Sequence, residues 1–200
     1  MVENHVPRNN GITHSPDEAR KEWKIPGTRP VIAVIGRLRF AQKNQDWLVR
    51  QLAADPFWKD YLVLIVGDGS DSERLRQIVL DLKLQDQVRM VGWSDKVETL
   101  YPALDLLLIP SCSEGVPLVM LEALSYRVPV AATNRDGMKE WLPQDWRFEV
   151  GDGEGMKRAV LSALRRGDPE FWRETSRHLD SIHDSKRFAA EFLEAVLSFT

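Results

Sequence analysis

The sequence predicts an α/β fold, a doubly wound, Rossmann-like parallel sheet of about six strands with helices on both faces. Two observations predict it. Short apolar runs rich in β-branched residues alternate with stretches of helical periodicity, which is typical of a parallel sheet that is covered on both sides. Strict alternation of apolar and polar residues, the pattern of an antiparallel sheet with one exposed face, is absent from these runs. After Gly153 the sequence indicates helix only.

The strands are expected at the apolar runs. In chain order they are Val31–Ile35, Tyr61–Val66, Val88–Val91, Leu104–Ile109, Val128–Ala132 and a weaker run, Phe148–Val150. Helices are predicted near Gln45–Ala54 and over Ser72–Leu82, where apolar residues recur at helical spacing. Ligands of such folds bind beyond the carboxyl ends of the strands, so the segments that follow the strands are the candidate site.

Three regions are expected along the chain. Residues 1–30, which prolines and glycines interrupt, are predicted to be a linker and lead-in, and so structured a lead-in suggests that another segment precedes it. A short helix is expected within them, because Ser15, Pro16 and Glu18 have the spacing of a capping box with proline at the first helical position. Residues 31–184 are predicted to form the main domain, and 185–200 an amphipathic C-terminal helix.

Composition excludes several function classes. The apolar fraction of 43% and the charged fraction of 28% are ordinary for a soluble globular protein. A net charge of −3 gives no electrostatic argument for nucleic acid. The one cysteine, Cys112, cannot form an intrachain disulfide, which favours a reducing cytoplasm. No histidine has zinc-like spacing to it and no apolar run approaches the roughly 18 residues of a membrane span, so neither a metal site nor a spanning segment is expected.

Cations follow the first predicted strand. Gly36 and Arg37 stand at its end, and Lys43 comes six residues after Arg37. Arginine offers a planar fork and lysine a point charge, so together they suit a diphosphate, although two solvated surface cations would give the same pattern. The turn at Gly67-Asp68-Gly69-Ser70 after the second strand could accept a phosphate, but a tight turn with an N-cap explains it better.

The segment after the fourth strand is the most informative. Pro117 is predicted to be the first residue of a helix, so that Gly115 and Val116 present backbone N–H groups at the helix's positive end. Glu114 stands at the mouth of this loop, and Glu122 lies early in the helix among apolar residues. A carboxylate in such surroundings needs a partner, which a polyhydroxylated ligand would supply. The alternative is a loop charge at Glu114 and a solvated helix face at Glu122.

Glu114 and Glu122, with seven residues between them, resemble the two-glutamate signature of retaining glycosyltransferases of the GT-B fold, in particular family 4, also called group 1. The resemblance covers roughly residues 6–200. The elements that carry it occur in the order of the family: Gly36-Arg37 with Lys43, Val66-Gly67-Asp68-Gly69, Val91-Gly92, Pro110-Ser111, Glu114-Gly115-Val116-Pro117, Glu122-Ala123, Pro129-Val130, and Gly137 with Glu140.

The resemblance implies a C-terminal, sugar-nucleotide-binding half of a two-domain enzyme. Arg37 and Lys43 would hold the diphosphate, Glu114 would face the donor sugar, and Glu122 would accept hydrogen bonds from the ribose. The other implied contacts come from Gly36 and the loops that border the donor, at Gly67, Gly92, Gly115, Val116, Pro117 and Leu118. The implied donor is a UDP- or GDP-sugar, with no cofactor, metal ion or protein nucleophile.

The resemblance also implies an N-terminal acceptor-binding domain, which this chain lacks, and little or no transfer without it. In place of the usual glycine pair before the later glutamate the sequence has Asp136-Gly137, which puts in doubt how this loop meets the donor, and Arg127 stands where a glycine is common. Trp93 could stack on the base, but a packing role is favoured.

Alternatives stay open. They are another GT-B enzyme, such as a sugar-nucleotide epimerase or a phosphorylase-like protein, and a non-catalytic binding module. A dehydrogenase is disfavoured, since no Gly-x-Gly-x-x-Gly follows the first strand. Contact of the basic stretch Lys157–Arg166 with the inner face of a membrane, and homodimer formation, are further alternatives.

Overall fold

The computed structural model describes residues 14–165 and 169–182, so the predicted lead-in up to residue 13 and the predicted helix over 185–200 lie outside the described residues. All six strands are parallel, in the order β3-β2-β1-β4-β5-β6. This is the doubly wound arrangement that the sequence predicts. The strands are β1 Val31–Ile35, β2 Leu62–Val66, β3 Val88–Gly92, β4 Leu106–Ile109, β5 Val130–Thr133 and β6 Arg147–Phe148.

Helices connect the strands. They are α1 Pro16–Glu22, α2 Phe40–Lys43, α3 Gln45–Ala54, α4 Ser72–Asp81, α5 Leu118–Ser125, α6 Asp136–Lys139, α7 Gly153–Ala163 and α8 Pro169–Ile182. Short 3-10 turns at Pro56–Asp60, Val97–Thr99, Tyr101–Ala103 and Gln144–Trp146 complete the connections. Only helices follow Gly153 within the described part of the chain, as predicted.

Five of the six predicted strands differ from the structure by one or two residues at one or both ends, and β1 has the predicted bounds. The second begins at Leu62 rather than Tyr61, the third ends at Gly92 rather than Val91, and the fifth is Val130–Thr133 rather than Val128–Ala132. The fourth begins at Leu106 rather than Leu104, because the carboxylate of Asp105 accepts a hydrogen bond from the N–H of Val31 at 2.8 Å and so occupies a ladder position with its side chain. The last is Arg147–Phe148 rather than Phe148–Val150, because the chain turns directly after Phe148, where the Asp152 N–H donates to the Glu149 carbonyl at 3.0 Å.

The helix predicted in the lead-in is confirmed, with its capping box: Ser15 accepts from the Glu18 N–H, and Glu18 accepts from the Ser15 N–H. It is not a free linker, because Ala19 is fully buried and the indole of Trp23 donates to Thr99 at 2.9 Å. Arg89 on β3 donates to the carbonyls of Trp23 and Lys24, both at 2.8 Å. This part of residues 1–30 therefore packs on the main domain.

The core lies on both faces of the central strands. All residues of β2, β4 and β5 are buried, as are the first four of β1. Burial of apolar surface stabilises the sheet by about 25 cal/mol per Å². The stable sheet holds in place the strand ends from which the site loops leave. Within the described residues, no helix has the length and apolar character needed to cross a membrane.

Candidate functional site

Three glycines lie side by side where β1, β2 and β3 end. The Gly36 N–H donates to the Val66 carbonyl at 2.9 Å, and the Gly67 N–H donates to the Gly92 carbonyl at 2.7 Å. A Cβ on Gly67 would stand 2.0 Å from the Gly36 carbonyl oxygen, and the φ of Gly67 is +131°. Only glycine fits there, so the ends of β1 and β2 pack backbone against backbone, with no side chain between them.

An ion pair lies beside Gly36, in the space beyond the carboxyl ends of β1 and β4 that is called the crevice below. Lys43, the last residue of α2, donates from its ammonium to Oε1 of Glu114. The Lys43 side chain is 20% exposed and that of Glu114 is 9% exposed. A Cβ on Gly36 would stand 3.8 Å from Lys43 Nζ, so Gly36 borders the ammonium. The structure thus brings together three residues that the sequence singles out, from two loops far apart in the chain.

The loop that carries Glu114 is fixed from several directions. Ser111, which is 1% exposed, donates to Glu114 Oε1 at 2.8 Å, and its carbonyl accepts from Thr133 at 2.6 Å. The Cys112 N–H donates to the Gln42 carbonyl at 2.8 Å. These bonds join α2, the loop after β4 and the end of β5 into one frame, so Glu114 is held before any ligand arrives.

The short helix α6 supports the same frame. A Cβ on Gly137 of α6 would stand 1.7 Å from the carbonyl oxygen of Gly115, so α6 touches the loop after β4 through its backbone. Asp136 stands in place of the first glycine of the usual pair. Gly137 still allows the close backbone contact with Gly115 that a side chain would block.

The helix after this loop begins one residue later than predicted. Pro117 is the N-cap of α5, with φ −69° and ψ 124°, and Leu118 is the first helical residue. The extended ψ of Pro117 is the reason. The N–H groups of Gly115 and Val116 meet no acceptor within the described residues, so they remain free beside the positive end of α5.

Glu122 has a protein partner that the sequence does not predict. The Tyr101 hydroxyl donates to Glu122 Oε2 at 2.6 Å. Tyr101 is fully buried, and this burial, together with the neighbouring Glu122 carboxylate, raises its pKa well above the usual value. Within the described part of the chain no hydrogen bond or ion pair joins Tyr101 or Glu122 to Lys43 or Glu114, and Glu122 lies one turn into α5.

Arg37 is exposed, and no side-chain hydrogen bond or ion pair holds it within the described residues. Its carbonyl accepts from Gln45 Nε2 at 2.9 Å, which fixes its backbone beside Gly36. The backbone of Arg37 therefore lies next to Gly36, and its side chain is exposed.

The turn at Gly67–Ser70 is closed by its own side chains. The Gly69 N–H donates to Asp68 Oδ1 at 2.7 Å and to Ser72 Oγ at 2.9 Å, and Ser72 donates to Asp68. The hydrogen bonds from Ser72 and from the Gly69 N–H lower the pKa of Asp68. The tight turn is therefore confirmed and Gly69 offers no free N–H to a phosphate, but Asp71, the N-cap of α4, makes no side-chain cap hydrogen bond.

Trp93 follows β3 directly, and its side chain is 73% exposed. The predicted packing role is therefore wrong within the described part of the chain. An indole at the carboxyl edge, one residue after Gly92, is available to a ligand or to another surface.

Two residues that hold the site glutamates are not predicted as site residues from the sequence. Ser111 is visible only as part of a motif, three residues before Glu114, a spacing at which a hydroxyl can cap its own loop. Tyr101 lies 21 residues before Glu122 in a connection that no periodicity marks. No cluster of three or more potential metal ligands occurs among the residues that the structure describes.

With the geometry in place, comparison with known proteins decides the family. The profile of the family described as Glycosyl transferases group 1 matches residues 29–166, more than half of the chain. The chain belongs to this family. The match includes β1 to α7, and hence all the loops of the crevice.

Curated relatives of this group 1 glycosyltransferase chain include bacterial enzymes. It is similar to lipopolysaccharide core biosynthesis glycosyltransferase LpsE of Rhizobium meliloti, at 28% identity over 70% of this chain and 41% of the relative. It is similar to N-acetyl-alpha-D-glucosaminyl L-malate synthase of Bacillus anthracis, at 29% identity over 85% and 45%. A third is a GDP-mannose-dependent phosphatidylinositol monomannoside mannosyltransferase of Mycobacterium tuberculosis, at 31% over 72% and 39%. The chain spans less than half the length of these relatives.

Solved structures agree on the fold. Anabaena Alr3699/HepE in complex with UDP and glucose superposes with a TM-score of 0.80 at 20% identity, over 98% of this chain and 56% of that one. S. aureus TarM, solved with UDP and other ligands, superposes with a TM-score of 0.76 at 18% identity, over 97% and 38%. The predicted family and the predicted Rossmann-like half of a GT-B fold are confirmed.

Proposed function

We propose that this group 1 glycosyltransferase chain is the donor-binding half of a retaining enzyme, which binds a nucleoside-diphosphate sugar for hexosyl transfer. The single observation that carries the proposal is the contact between Lys43 and Glu114 over the open glycine edge. The UDP in the HepE structure and the GDP-mannose in the name of the mycobacterial relative support a UDP- or GDP-sugar as the donor.

Lys43 is suited to a diphosphate because its ammonium has three N–H donors and Glu114 uses one. Gly36 keeps backbone but no side chain beside the ammonium, which leaves room for phosphate oxygens. Glu114 also fixes the position of the ammonium, so little reorganisation is needed when the ligand binds. Exposed Arg37, beside Gly36, completes the proposed diphosphate contact by closing over the ligand.

Cleavage of a glycosyl–phosphate bond places negative charge on the departing diphosphate. Lys43, Arg37 and the free N–H groups of Gly115 and Val116 would stabilise that charge. Such preorganised donors each contribute about 10²–10³ in rate. We propose that the leaving phosphate helps to deprotonate the acceptor on the same face, which retains the anomeric configuration.

The carboxylates would recognise hydroxyl groups. Glu114, at the mouth of the crevice, would accept from the donor sugar with the oxygen that Ser111 and Lys43 leave free. Glu122 would accept from the ribose. Gly67 and Gly92 would border the nucleoside, and Pro117 and Leu118 the phosphates. The exposed ring of Trp93 would cover one face of the base.

The proposal includes a second, acceptor-binding domain, in line with relatives more than twice as long as the matched segment. A cytoplasmic location follows from the single cysteine and remains part of the proposal. Membrane contact by the basic stretch gains little support, since Lys157 is held by Asp55 at 2.7 Å. An epimerase or a phosphorylase-like enzyme is not favoured, because the named relatives are glycosyltransferases and a synthase.

Calorimetric titration of UDP, GDP and ADP into the folded chain tests the proposal. One of the three should bind with a Kd in the micromolar to millimolar range, about −8 to −4 kcal/mol, and Lys43→Met should weaken it. Lys157→Met is the matched control, since Lys157 also pairs with a carboxylate but lies on α7. Lack of heat with all three nucleotides, from a sample with a cooperative unfolding transition, would contradict the proposal.

A further inference from the structure

We infer that Tyr101 is a positioning residue for nucleotide recognition, which holds the Glu122 carboxylate through Oε2 so that Oε1 faces a ribose hydroxyl. The inference rests on the proposed function, and it assigns a role in it to a residue outside the two-glutamate signature. The observation behind it is the hydrogen bond from the Tyr101 hydroxyl to Glu122 Oε2, at 2.6 Å.

The two faces of α5 differ in burial. Met120, Leu121, Ala123 and Leu124 are buried on the inner side of this helix. Leu118 is 45% exposed, and Glu122 is half-buried. Residues four apart share a helix face, so Glu122 lies on the outer face with Leu118, one turn from the helix's N-terminal end. A ligand at that end can reach Glu122 without displacing the core.

The Tyr101 hydroxyl limits the motion of the Glu122 carboxylate. A glutamate on a helix surface has several rotamers of similar energy, and ordering it on ligand binding costs conformational entropy. Tyr101 removes that freedom, because its ring is fully buried and stacks on Tyr126, with centroids 5.2 Å apart and planes 22° apart. A rigid donor fixes one carboxylate oxygen and thereby the direction of the other.

The second oxygen of the Glu122 carboxylate is open to a ligand. Within the described residues no hydrogen bond reaches Glu122 Oε1. A carboxylate oxygen is an acceptor only, so its natural partner is a hydroxyl or an N–H group. Burial and the nearby carboxylate raise the pKa of Tyr101, so its hydroxyl stays protonated and keeps donating at every physiological pH. The geometry therefore presents one fixed acceptor oxygen to a vicinal diol.

Discrimination between ribose and deoxyribose measures this role directly. The probes are the nucleoside diphosphate that binds the chain most tightly, among UDP, GDP and ADP, and its 2′-deoxy and 3′-deoxy analogues. The wild type should bind the parent nucleotide about tenfold more tightly than at least one analogue, as expected for one hydrogen bond to a charged group. Tyr101→Phe should reduce this ratio to within about threefold.

Tyr126→Phe is the matched control. It also removes a tyrosine hydroxyl from the stacked pair, but that hydroxyl makes no hydrogen bond to Glu122. If Tyr101 had only a structural role, Tyr101→Phe would lower the unfolding temperature. The ratio of the affinities for ribose and deoxyribose ligands would then stay unchanged. If Tyr101→Phe does not fold, Glu122→Gln carries the test, because Tyr101 should hold the amide oxygen and turn the NH₂ group toward the ligand, with the same loss of discrimination.

The outcomes separate the two proposals. Failure of the wild type to bind any of the three nucleotides overturns the proposed function, and this inference with it. Binding without discrimination by the wild type, or full discrimination kept by Tyr101→Phe, overturns this inference alone. Reduced discrimination in Tyr101→Phe with an unchanged ratio in Tyr126→Phe supports it.

Discussion

The Lys43 ammonium and the Glu114 carboxylate meet across the crevice between the loops that follow β1 and β4, 71 residues apart in the chain. Their side chains are 20% and 9% exposed, so both charges have lost most of their water. Each therefore depends on the other, and on Ser111, for the interactions that water would have provided. The pair links the stability of the domain to its proposed chemistry.

Lys43→Met should lower both nucleotide affinity and stability. Loss of its contact with phosphate should weaken binding about tenfold or more, and the unpaired Glu114 should lower the free energy of unfolding by about 2 kcal/mol. Calorimetric titration and denaturant unfolding measure the two effects.

Two controls make the Lys43 result specific. The double variant Lys43→Met, Glu114→Gln should regain much of the lost stability without regaining affinity, since no buried charge is left unpaired. Lys157→Met should leave nucleotide affinity unchanged and should hardly change the free energy of unfolding, because its pair with Asp55 is about one-third exposed and solvent weakens such pairs. Equal losses of affinity in Lys43→Met and Lys157→Met would contradict the role of Lys43.

The sequence predicts those parts of the site that local signals mark. β1 and α3 lie where expected, since apolar runs and helical periodicity act over a few residues. Which side chains meet is a different question. The Tyr101–Glu122 hydrogen bond joins a 3-10 turn to a helix that lies far from it in the chain. The exposure of Trp93 depends on which other elements pack near it. Both are set by tertiary packing, which a single sequence does not display.

Gly67→Ala should strongly destabilise the fold. Its Cβ would stand 2.0 Å from the Gly36 carbonyl oxygen at a φ of +131°, so overpacking adds to backbone strain. A loss of about 3 kcal/mol or more in the free energy of unfolding is expected. Gly92→Ala is the control, because its φ is +84° but a Cβ there meets nothing within 4 Å, so only the backbone cost of about 1 kcal/mol remains. Similar losses in the two variants would show that the close approach is unimportant.

The three tyrosines should ionise only in strongly alkaline solution. Burial raises the pKa of Tyr61, Tyr101 and Tyr126, most of all for Tyr101. The folded state therefore favours the protonated phenols, so their contribution to stability is complete below about pH 10, the unfolded value, and is lost as pH rises through the folded-state pKa. The midpoint of the tyrosinate absorbance change should lie above pH ~10 in the folded chain. In denaturant this midpoint should fall to about pH 10. A midpoint near 10 for all three residues in the folded chain would contradict this burial.

Trp93→Ala should weaken nucleotide binding while hardly affecting stability. The side chain is 73% exposed, so its removal should change the free energy of unfolding by less than about 0.5 kcal/mol. If the ring covers the base, its loss should reduce affinity about tenfold, since stacking on an aromatic side chain contributes about 1–3 kcal/mol per base. Trp93→Phe should retain part of the affinity, and Leu80→Ala, which removes another exposed apolar side chain from α4, should have no effect. Unchanged affinity in Trp93→Ala would assign the indole to another surface instead, because an exposed tryptophan that no ligand covers is typical of a contact between domains or chains.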